Sequence, residues 1–153
     1  MIRIANINDT KRIYELLIDM VNLHATIRPD IFIKDKAKYN IEELNKLIGD
    51  KNYHIYVMEL DNLLIAYAIC IIKYNHDKNI LINKSLYIDD FCVDKLYQNQ
   101  GYGTKLFNYL IEQAKKEGFD EIILNVWNGN DEAYSFYEKM GMKIKKMEME
   151  LKI

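Results

Sequence analysis

The sequence predicts an α+β or α/β domain in which one central, mixed β-sheet is flanked by helices. Runs rich in β-branched and aromatic residues fill the middle of the chain, and segments with helical spacing of apolar residues lie on either side. A chain of 153 residues is about one domain long and buries roughly 70% of the surface that its unfolded form exposes. We see no linker and no internal repeat, so residues 1–153 are assigned to one domain.

The first part of the chain is predicted to alternate between strand and helix. A strand from Ile2 to Asn6 precedes an amphipathic helix that begins at about Thr10. Pro29 should keep part of the segment from His24 to Asn40 out of a helix, and helical spacing returns from Ile41 to Ile48.

Strands dominate the middle of the chain. Tyr53 to Leu60 and Leu63 to Lys73 are separated by Asp61-Asn62, which favours a tight hairpin turn. Asn79 to Val93 supplies the next strand or strands. This arrangement predicts the antiparallel part of the sheet.

The last part returns to helices. Thr104 to Lys116 places its apolar residues on one face and stops at Gly118. A short strand at Glu121 to Trp127 and a helix at Asp131 to Met140 follow. The tail from Met147 to Ile153 alternates with period two, which predicts a half-buried strand.

A glycine-containing turn, Gln98-Asn99-Gln100-Gly101-Tyr102-Gly103, joins the apolar run Phe91-Cys92-Val93 to the helix. Glycines let the backbone approach a ligand, and the first N–H groups of a helix lack intrahelical acceptors, so this turn can bind a pyrophosphate. Glycine pairs at such junctions also serve tight packing, and that alternative stays open. The third glycine of a dinucleotide fingerprint and the Gly-Lys-Ser/Thr of a P-loop are absent.

Composition excludes several other classes. Lys and Arg total 21 against 23 acidic residues, so the formal charge is −2, which argues against a nucleic-acid partner. No run approaches the roughly 20 apolar residues of a membrane span, and the N-terminus does not resemble a signal peptide. We therefore expect a cytoplasmic protein without membrane contact.

The cysteines and histidines do not predict a metal site. Cys70 and Cys92 lie in apolar strand-like runs, where a reduced thiol behaves as a small hydrophobe. His24, His54 and His76 have no partner at metal-ligand spacing. An acyl group on Cys92 is the less favoured alternative, because burial raises the pKa of a thiol.

Four blocks resemble the GCN5-related N-acetyltransferase (GNAT) superfamily in order and spacing. They are Tyr87-Ile88-Asp89-Asp90-Phe91-Cys92-Val93-Asp94, Gln98-x-x-Gly101-x-Gly103, Asn125-Val126-Trp127 with Asn130, and Phe136-Tyr137-Glu138-Lys139-Met140-Gly141. The resemblance covers residues 86–150 closely and the first half only in outline. It implies a single α+β domain with a central mixed, mostly antiparallel β-sheet flanked by helices. It also implies acetyl-CoA as cosubstrate and acetyl transfer to an amine.

The resemblance also implies where acetyl-CoA binds. The strands ending at Val93 and Trp127 should splay apart, so that one strand edge pairs with the pantetheine arm. The backbone of the strand end would contact the arm, the turn would wrap the pyrophosphate, and two later side chains would contact CoA; these residues are Phe91, Cys92, Val93, Gln98, Asn99, Gln100, Gly101, Tyr102, Gly103, Thr104, Asn130 and Tyr137. The alternative for Asn130 is a helix N-cap.

Two residues are candidates for catalysis. By resemblance Tyr137 protonates the leaving thiolate, with Tyr134 as a substitute, although a helix of this composition also needs aromatic core residues. Asp89 is the candidate base, directly or through water. In a strand Asp89 and Asp90 must point to opposite faces, so at most one readily faces the cleft. Solvated strand carboxylates are the alternative.

The leading functional prediction is an acetyl-CoA-dependent N-acetyltransferase for the primary amine of a small cationic metabolite, such as a polyamine, an amino sugar or an amino-acid-like compound. The alternatives are acetylation of a protein lysine or N-terminus, and a non-catalytic acyl-CoA-binding module. The acceptor surface is expected at His24 to Asn40 and Tyr74 to Lys84. A homodimer is compatible with an alternating C-terminal strand that pairs with a neighbour.

Overall fold

Five strands and four helices form three layers in the computed structural model, which describes all residues from 1 to 153. The strands are β1 (Ile2–Ile4), β2 (Tyr53–Leu60), β3 (Leu63–Tyr74), β4 (Lys84–Val93) and β5 (Glu121–Leu124). The helices are α1 (Thr10–Ile27), α2 (Ile41–Leu47), α3 (Tyr102–Lys116) and α4 (Asp131–Lys139). The predicted mixed, mostly antiparallel sheet with flanking helices is confirmed.

The strand order in the sheet is the chain order, β1-β2-β3-β4-β5. All neighbours pair antiparallel except β4 and β5, which are parallel. The β2–β3 hairpin turns through Asp61 and Asn62, whose φ angles of 49° and 63° are those of a tight hairpin turn. Asn and Asp tolerate this left-handed conformation better than most residues, which is why the dipeptide predicted the turn.

Each face of the sheet carries its own apolar core. The face under α1 and α2 includes Leu16, Tyr67 and Ile69, all buried. The face under α3 and α4 includes Leu106 and Phe107. Because β3 is buried on both faces, its sequence is a nearly continuous apolar run rather than an alternating one.

The C-terminal tail differs from its prediction. Met147 to Ile153 lies outside any strand and is exposed throughout, so the half-buried strand is wrong. Side-chain ion pairs hold the tail instead: Glu150 pairs with Arg28 and Lys152 pairs with Asp30. A period-two pattern needs a neighbouring strand to become a strand, and none of the five strands pairs with this segment.

None of the four helices is long and apolar enough to cross a membrane.

Candidate active site

The sheet opens between its two parallel strands. Pairing between β4 and β5 runs from Ser85 with Glu121 to Ile88 with Leu124 and ends there. The remainder of β4, through Val93, pairs only with β3. The expected splay is therefore present, and it leaves one edge of β4 open.

Backbone donors line this open edge. The Asp94 N–H donates to the Ile65 carbonyl on the β3 side at 2.8 Å. Since successive residues of an antiparallel strand direct their N–H groups to opposite edges, the N–H groups of Phe91 and Val93 face the opening. The Val93 carbonyl accepts a bond from the Gln98 side chain at 2.9 Å, which fixes the strand end to the following turn.

The Cys92 side chain lies on the face of β4 that α1 covers, away from the opening. Its side chain is buried and its sulfur lies 4.0 Å from the Leu16 carbonyl under α1. Burial raises the pKa of this thiol well above its ordinary value. A protonated thiol packed in the core cannot act as an acyl acceptor at neutral pH, so the thiol alternative has no support.

The turn after β4 presents a row of unpaired donors. The backbone N–H groups from Asn99 to Thr104 donate no hydrogen bond within the chain, and the first helical bond of α3 runs from Lys105 to Gly101 at 3.0 Å. Asn99 and Gly101 have φ angles of 60° and 83°, which curl the backbone around these donors. Consecutive free N–H groups at a helix N-terminus form an anion-binding concavity.

The two glycines have different roles. A Cβ built at Gly101 would meet no atom within 4 Å, so space does not require a glycine there. The left-handed φ angle does, because glycine adopts it without strain. A Cβ at Gly103 would lie 3.4 Å from the Phe136 ring and 3.6 Å from Val93. The tight-packing alternative therefore applies to Gly103, while Gly101 shapes the concavity.

A β-bulge places two carboxylates on the same face of β4. Ile69 pairs with Asp90 and Cys70 pairs with Ile88, so Asp89 is an extra residue without a partner. The expectation that Asp89 and Asp90 point to opposite faces is wrong, because a bulge breaks the period of two. Both side chains lie on the face that α1 and α2 cover.

Asp89 is held by two side chains of the loop between α1 and α2. The Lys38 ammonium lies 2.5 Å from one carboxylate oxygen and the Tyr39 hydroxyl donates to the other at 2.7 Å. The Asp89 side chain is 4% exposed, and that of Lys38 is 51% exposed. Burial, then the Asp89 carboxylate, raises the pKa of Tyr39, so its phenol stays protonated as the donor.

Asp90 occupies a different environment beside it. It accepts a hydrogen bond from the buried Tyr67 hydroxyl at 3.0 Å. Burial raises the pKa of Asp90 to about 6, opposed by the Tyr67 hydrogen bond and reinforced by the Asp89 charge. A carboxylate that titrates near neutral pH is a candidate general base.

Tyr137 projects from α4 into the aromatic cluster beneath the opening. Its ring centroid lies 6.3 Å from that of Phe91 and 5.9 Å from that of Phe107. Its hydroxyl makes no hydrogen bond within the chain, and no buried side-chain polar atom lacks a partner, so the hydroxyl reaches solvent. Burial, then the charge of Asp90, raises the pKa of Tyr137, which keeps the phenol protonated at neutral pH. Tyr134, the substitute candidate, is exposed.

Asn130 caps the helix that carries Tyr137. Its side-chain oxygen accepts from the Ala133 N–H at 3.2 Å. The N-cap alternative is thus present, and a contact to CoA would use the amide nitrogen that this bond leaves free.

An aromatic contact joins the α1–α2 loop to the chain after β5. The Phe32 ring packs edge-on against Trp127 and tilted by 39° against His24, with ring centroids 5.0 Å apart in both contacts. This loop therefore lies beside the opening, and its role as an acceptor surface stays a prediction. The other predicted segment, Tyr74 to Lys84, leads to the far end of β4, where the Lys84 N–H donates to Asp120 at 2.9 Å.

The opened parallel strands, the concavity of free donors and the acidic pair lie around the C-terminal half of β4 and form a candidate acyltransferase site. The sequence model of the Acetyltransferase (GNAT) family matches residues 17–142, and the chain belongs to this family. It is an acetyl-CoA-dependent N-acetyltransferase.

Two curated relatives and one solved structure illustrate the similarity. N-alpha-acetyltransferase 50 of Danio rerio is 32% identical over 131 residues, which cover 74% of this chain and 75% of the relative. The [ribosomal protein bS18]-alanine N-acetyltransferase of Haemophilus ducreyi is 32% identical over 93 residues, covering 61% of this chain and 57% of the relative. A mutant of the BH1408 protein from Bacillus halodurans superposes with a TM-score of 0.94 at 26% identity, covering 100% and 99% of the two chains.

The acidic site consists of Asp89, Asp90 and the side chains that contact them. Sequence reasoning did not predict Asp90 as a base in its own right, and it missed the three contacting side chains, Lys38, Tyr39 and Tyr67. The adjacent acids were visible, but the bulge that turns both to one face leaves no glycine or proline as a signal. The other three reach the acids from distant parts of the chain, so no local pattern identifies them.

Proposed function

We propose that this enzyme acetylates the primary amine of a small cationic metabolite by direct attack of the amine on the acetyl thioester. The observation that carries this proposal is the ammonium group of Lys38 against Asp89 at 2.5 Å. It supports a site that accepts a primary alkylammonium next to a deeply placed carboxylate, which is what a cationic acceptor would require.

In this proposal the acidic pair, Asp89 and Asp90, accepts the proton that the substrate ammonium must lose. An alkylammonium with a pKa near 10.4 is only about 0.04% neutral at pH 7, so a base must take its proton. We assign binding of the ammonium to Asp89 and proton acceptance to the pair, with Asp90 as the second base because its pKa is raised to about 6. That Asp89 itself accepts the proton stays a prediction.

In this proposal the opening beside β4 binds acetyl-CoA, and α4 supplies the proton for the leaving thiolate. The N–H groups of Phe91 and Val93 would bind the pantetheine amide or the oxyanion that develops on the carbonyl. Residues 99–104 would hold the pyrophosphate through their free donors. The protonated Tyr137 hydroxyl would donate to the leaving thiolate.

A second candidate is acetylation of the α-amino group of a protein. Both curated relatives above are named for that activity. The pKa of an α-ammonium, about 8, is only about 2 units above the pKa of Asp90, whereas the pKa of an alkylammonium is about 4 units above it. Proton transfer to Asp90 is therefore easier from the α-ammonium.

Amine-dependent release of free thiol from acetyl-CoA separates the two candidates. The panel contains polyamines, aminoglycosides, free amino acids and short peptides that start with different residues. Turnover with a polyamine or an amino sugar supports the metabolite proposal, and turnover restricted to peptides supports the second candidate. Acetyl-CoA binding without turnover on any amine would contradict both and favour a non-catalytic module.

A further inference from the structure

We propose that Lys38 is a substrate of its own active site: in the absence of another acceptor, the enzyme acetylates the Lys38 side chain and thereby uncovers Asp89. This inference rests on the proposed function, because it uses the same acceptor position and the same carboxylates.

Lys38 already occupies the position proposed for the acceptor amine. Lys38 belongs to the loop between α1 and α2, and its ammonium lies 2.5 Å from Asp89, where the proposed acceptor ammonium would bind. The loop is fixed on both sides of this contact, by the Tyr39 hydroxyl on Asp89 at 2.7 Å and by Phe32 against Trp127 at 5.0 Å. A tethered amine in the acceptor position has an effective concentration that a dissolved lysine cannot reach.

The Lys38 side chain can move while its loop stays in place. Asp89 is 4% exposed whereas Lys38 is 51% exposed, so the lysine covers the carboxylate from the solvent side. Its four-carbon stem can rotate without moving the loop, which lets the amine shift from Asp89 toward the opening above Phe91.

The step balances without any further reactant. A proton passes from the Lys38 ammonium to the Asp89–Asp90 pair, the free amine attacks the thioester carbonyl, a C–N bond forms and the C–S bond breaks. The leaving thiolate takes a proton from Tyr137, and the second proton of the attacking nitrogen passes through solvent to the Tyr137 phenolate. The products are free CoA and Nε-acetyl-lysine, and the proton held by the acidic pair is released to solvent. Acetylation removes the positive charge, so Asp89 loses its ion pair and becomes available to a dissolved cationic acceptor.

The matched control is Lys46, which is also paired with a carboxylate. Its ammonium lies 3.0 Å from Glu42 on the outer face of α2, and its side chain is 72% exposed. Chemical acetylation by acetyl-CoA in solution should favour the more exposed lysine, whereas self-acetylation should favour the less exposed Lys38.

The experiment incubates the full chain with acetyl-CoA and no added amine, then maps acetyl-lysines by peptide mass spectrometry over time. We expect Lys38 to be acetylated at least tenfold faster than Lys46, at a rate per molecule that does not change with protein concentration. Tyr137→Phe should reduce labelling of Lys38 to the level of Lys46. After self-acetylation, the KM for a cationic acceptor should fall, and Lys38→Arg should lose both the label and this change.

Equal labelling of Lys38 and Lys46, or labelling that Tyr137→Phe leaves unchanged, would overturn the inference. If the enzyme turns over an added amine but leaves Lys38 unlabelled, the inference fails and the proposed function stands. If neither an added amine nor Lys38 is acetylated although acetyl-CoA binds, the proposed function fails with it.

Discussion

The raised pKa of Asp90 makes a prediction about both stability and activity. In the folded protein burial raises this pKa from 3.8 to about 6, so the native state holds the proton more tightly than the unfolded chain does. Stability from this group is therefore present below about pH 4 and is lost as pH rises through about 6. Above that range the charged Asp90 destabilises the fold.

The size of the effect follows from the shift. A rise of the pKa from 3.8 to about 6 corresponds to at most about 3 kcal/mol, and because Asp90 is only half-buried, solvent screening reduces this to about 1 to 2 kcal/mol. Asp90→Asn keeps an oxygen that can accept from Tyr67 and removes the charge. We expect the variant to be more stable at pH 7.5 by about 1 to 2 kcal/mol, or roughly 2 to 8 °C in Tm. The gain should vanish near pH 4.

The assay is urea unfolding of both proteins between pH 4 and 8, together with kcat/KM over the same range. Loss of a general base should cost about 10²- to 10⁴-fold in kcat/KM and remove a rise in activity centred near pH 6. Asp120→Asn is the control, because its effect on stability should have the opposite pH dependence. Backbone hydrogen bonds lower the pKa of Asp120, so Asp120 stabilises the fold above about pH 4 and loses this effect at lower pH. A difference between wild type and Asp90→Asn that does not change with pH would refute the reasoning.

Three further predictions concern other parts of the site. Gly103→Val should weaken acetyl-CoA binding at least tenfold and lower Tm, because a Cβ at this position already lies 3.4 Å from the Phe136 ring and the branched side chain would press on it. Calorimetry measures the affinity and thermal unfolding measures Tm, and an unchanged affinity would contradict the prediction. Leu106→Ala should cost about 2 to 5 kcal/mol of unfolding free energy by opening a cavity under the sheet, with urea unfolding as the check and a loss below about 1 kcal/mol as the contrary result. Phe32→Ala should shift the emission of Trp127, the only tryptophan, to longer wavelength by exposing the indole to water, and identical spectra would argue against the loop contact.

Local chemistry made much of the fold predictable. Asp61 and Asn62 tolerate a positive φ, so the β2–β3 hairpin followed from two residues. The glycine-containing turn between Val93 and α3 was also visible, because free helix donors and glycines are features of the local chain.

The acidic site was less predictable because it depends on non-local packing. The bulge at Asp89 arises from the register between β3 and β4, and Lys38 reaches it across 51 positions of sequence. The tail from Met147 shows the opposite error: a local alternating pattern predicted a strand, but a strand forms only where a neighbour supplies its hydrogen bonds.

The central claim is that the Tyr137 hydroxyl takes part in acetyl transfer rather than only filling the aromatic cluster. The most direct test is Tyr137→Phe, with kcat measured by thiol release on the best acceptor and acetyl-CoA affinity measured by calorimetry. The substitution keeps the ring against Phe91 and removes only the hydroxyl. The account predicts a loss in kcat of about 10²- to 10⁴-fold with the Kd for acetyl-CoA changed less than about threefold. A variant that retains full kcat would contradict it.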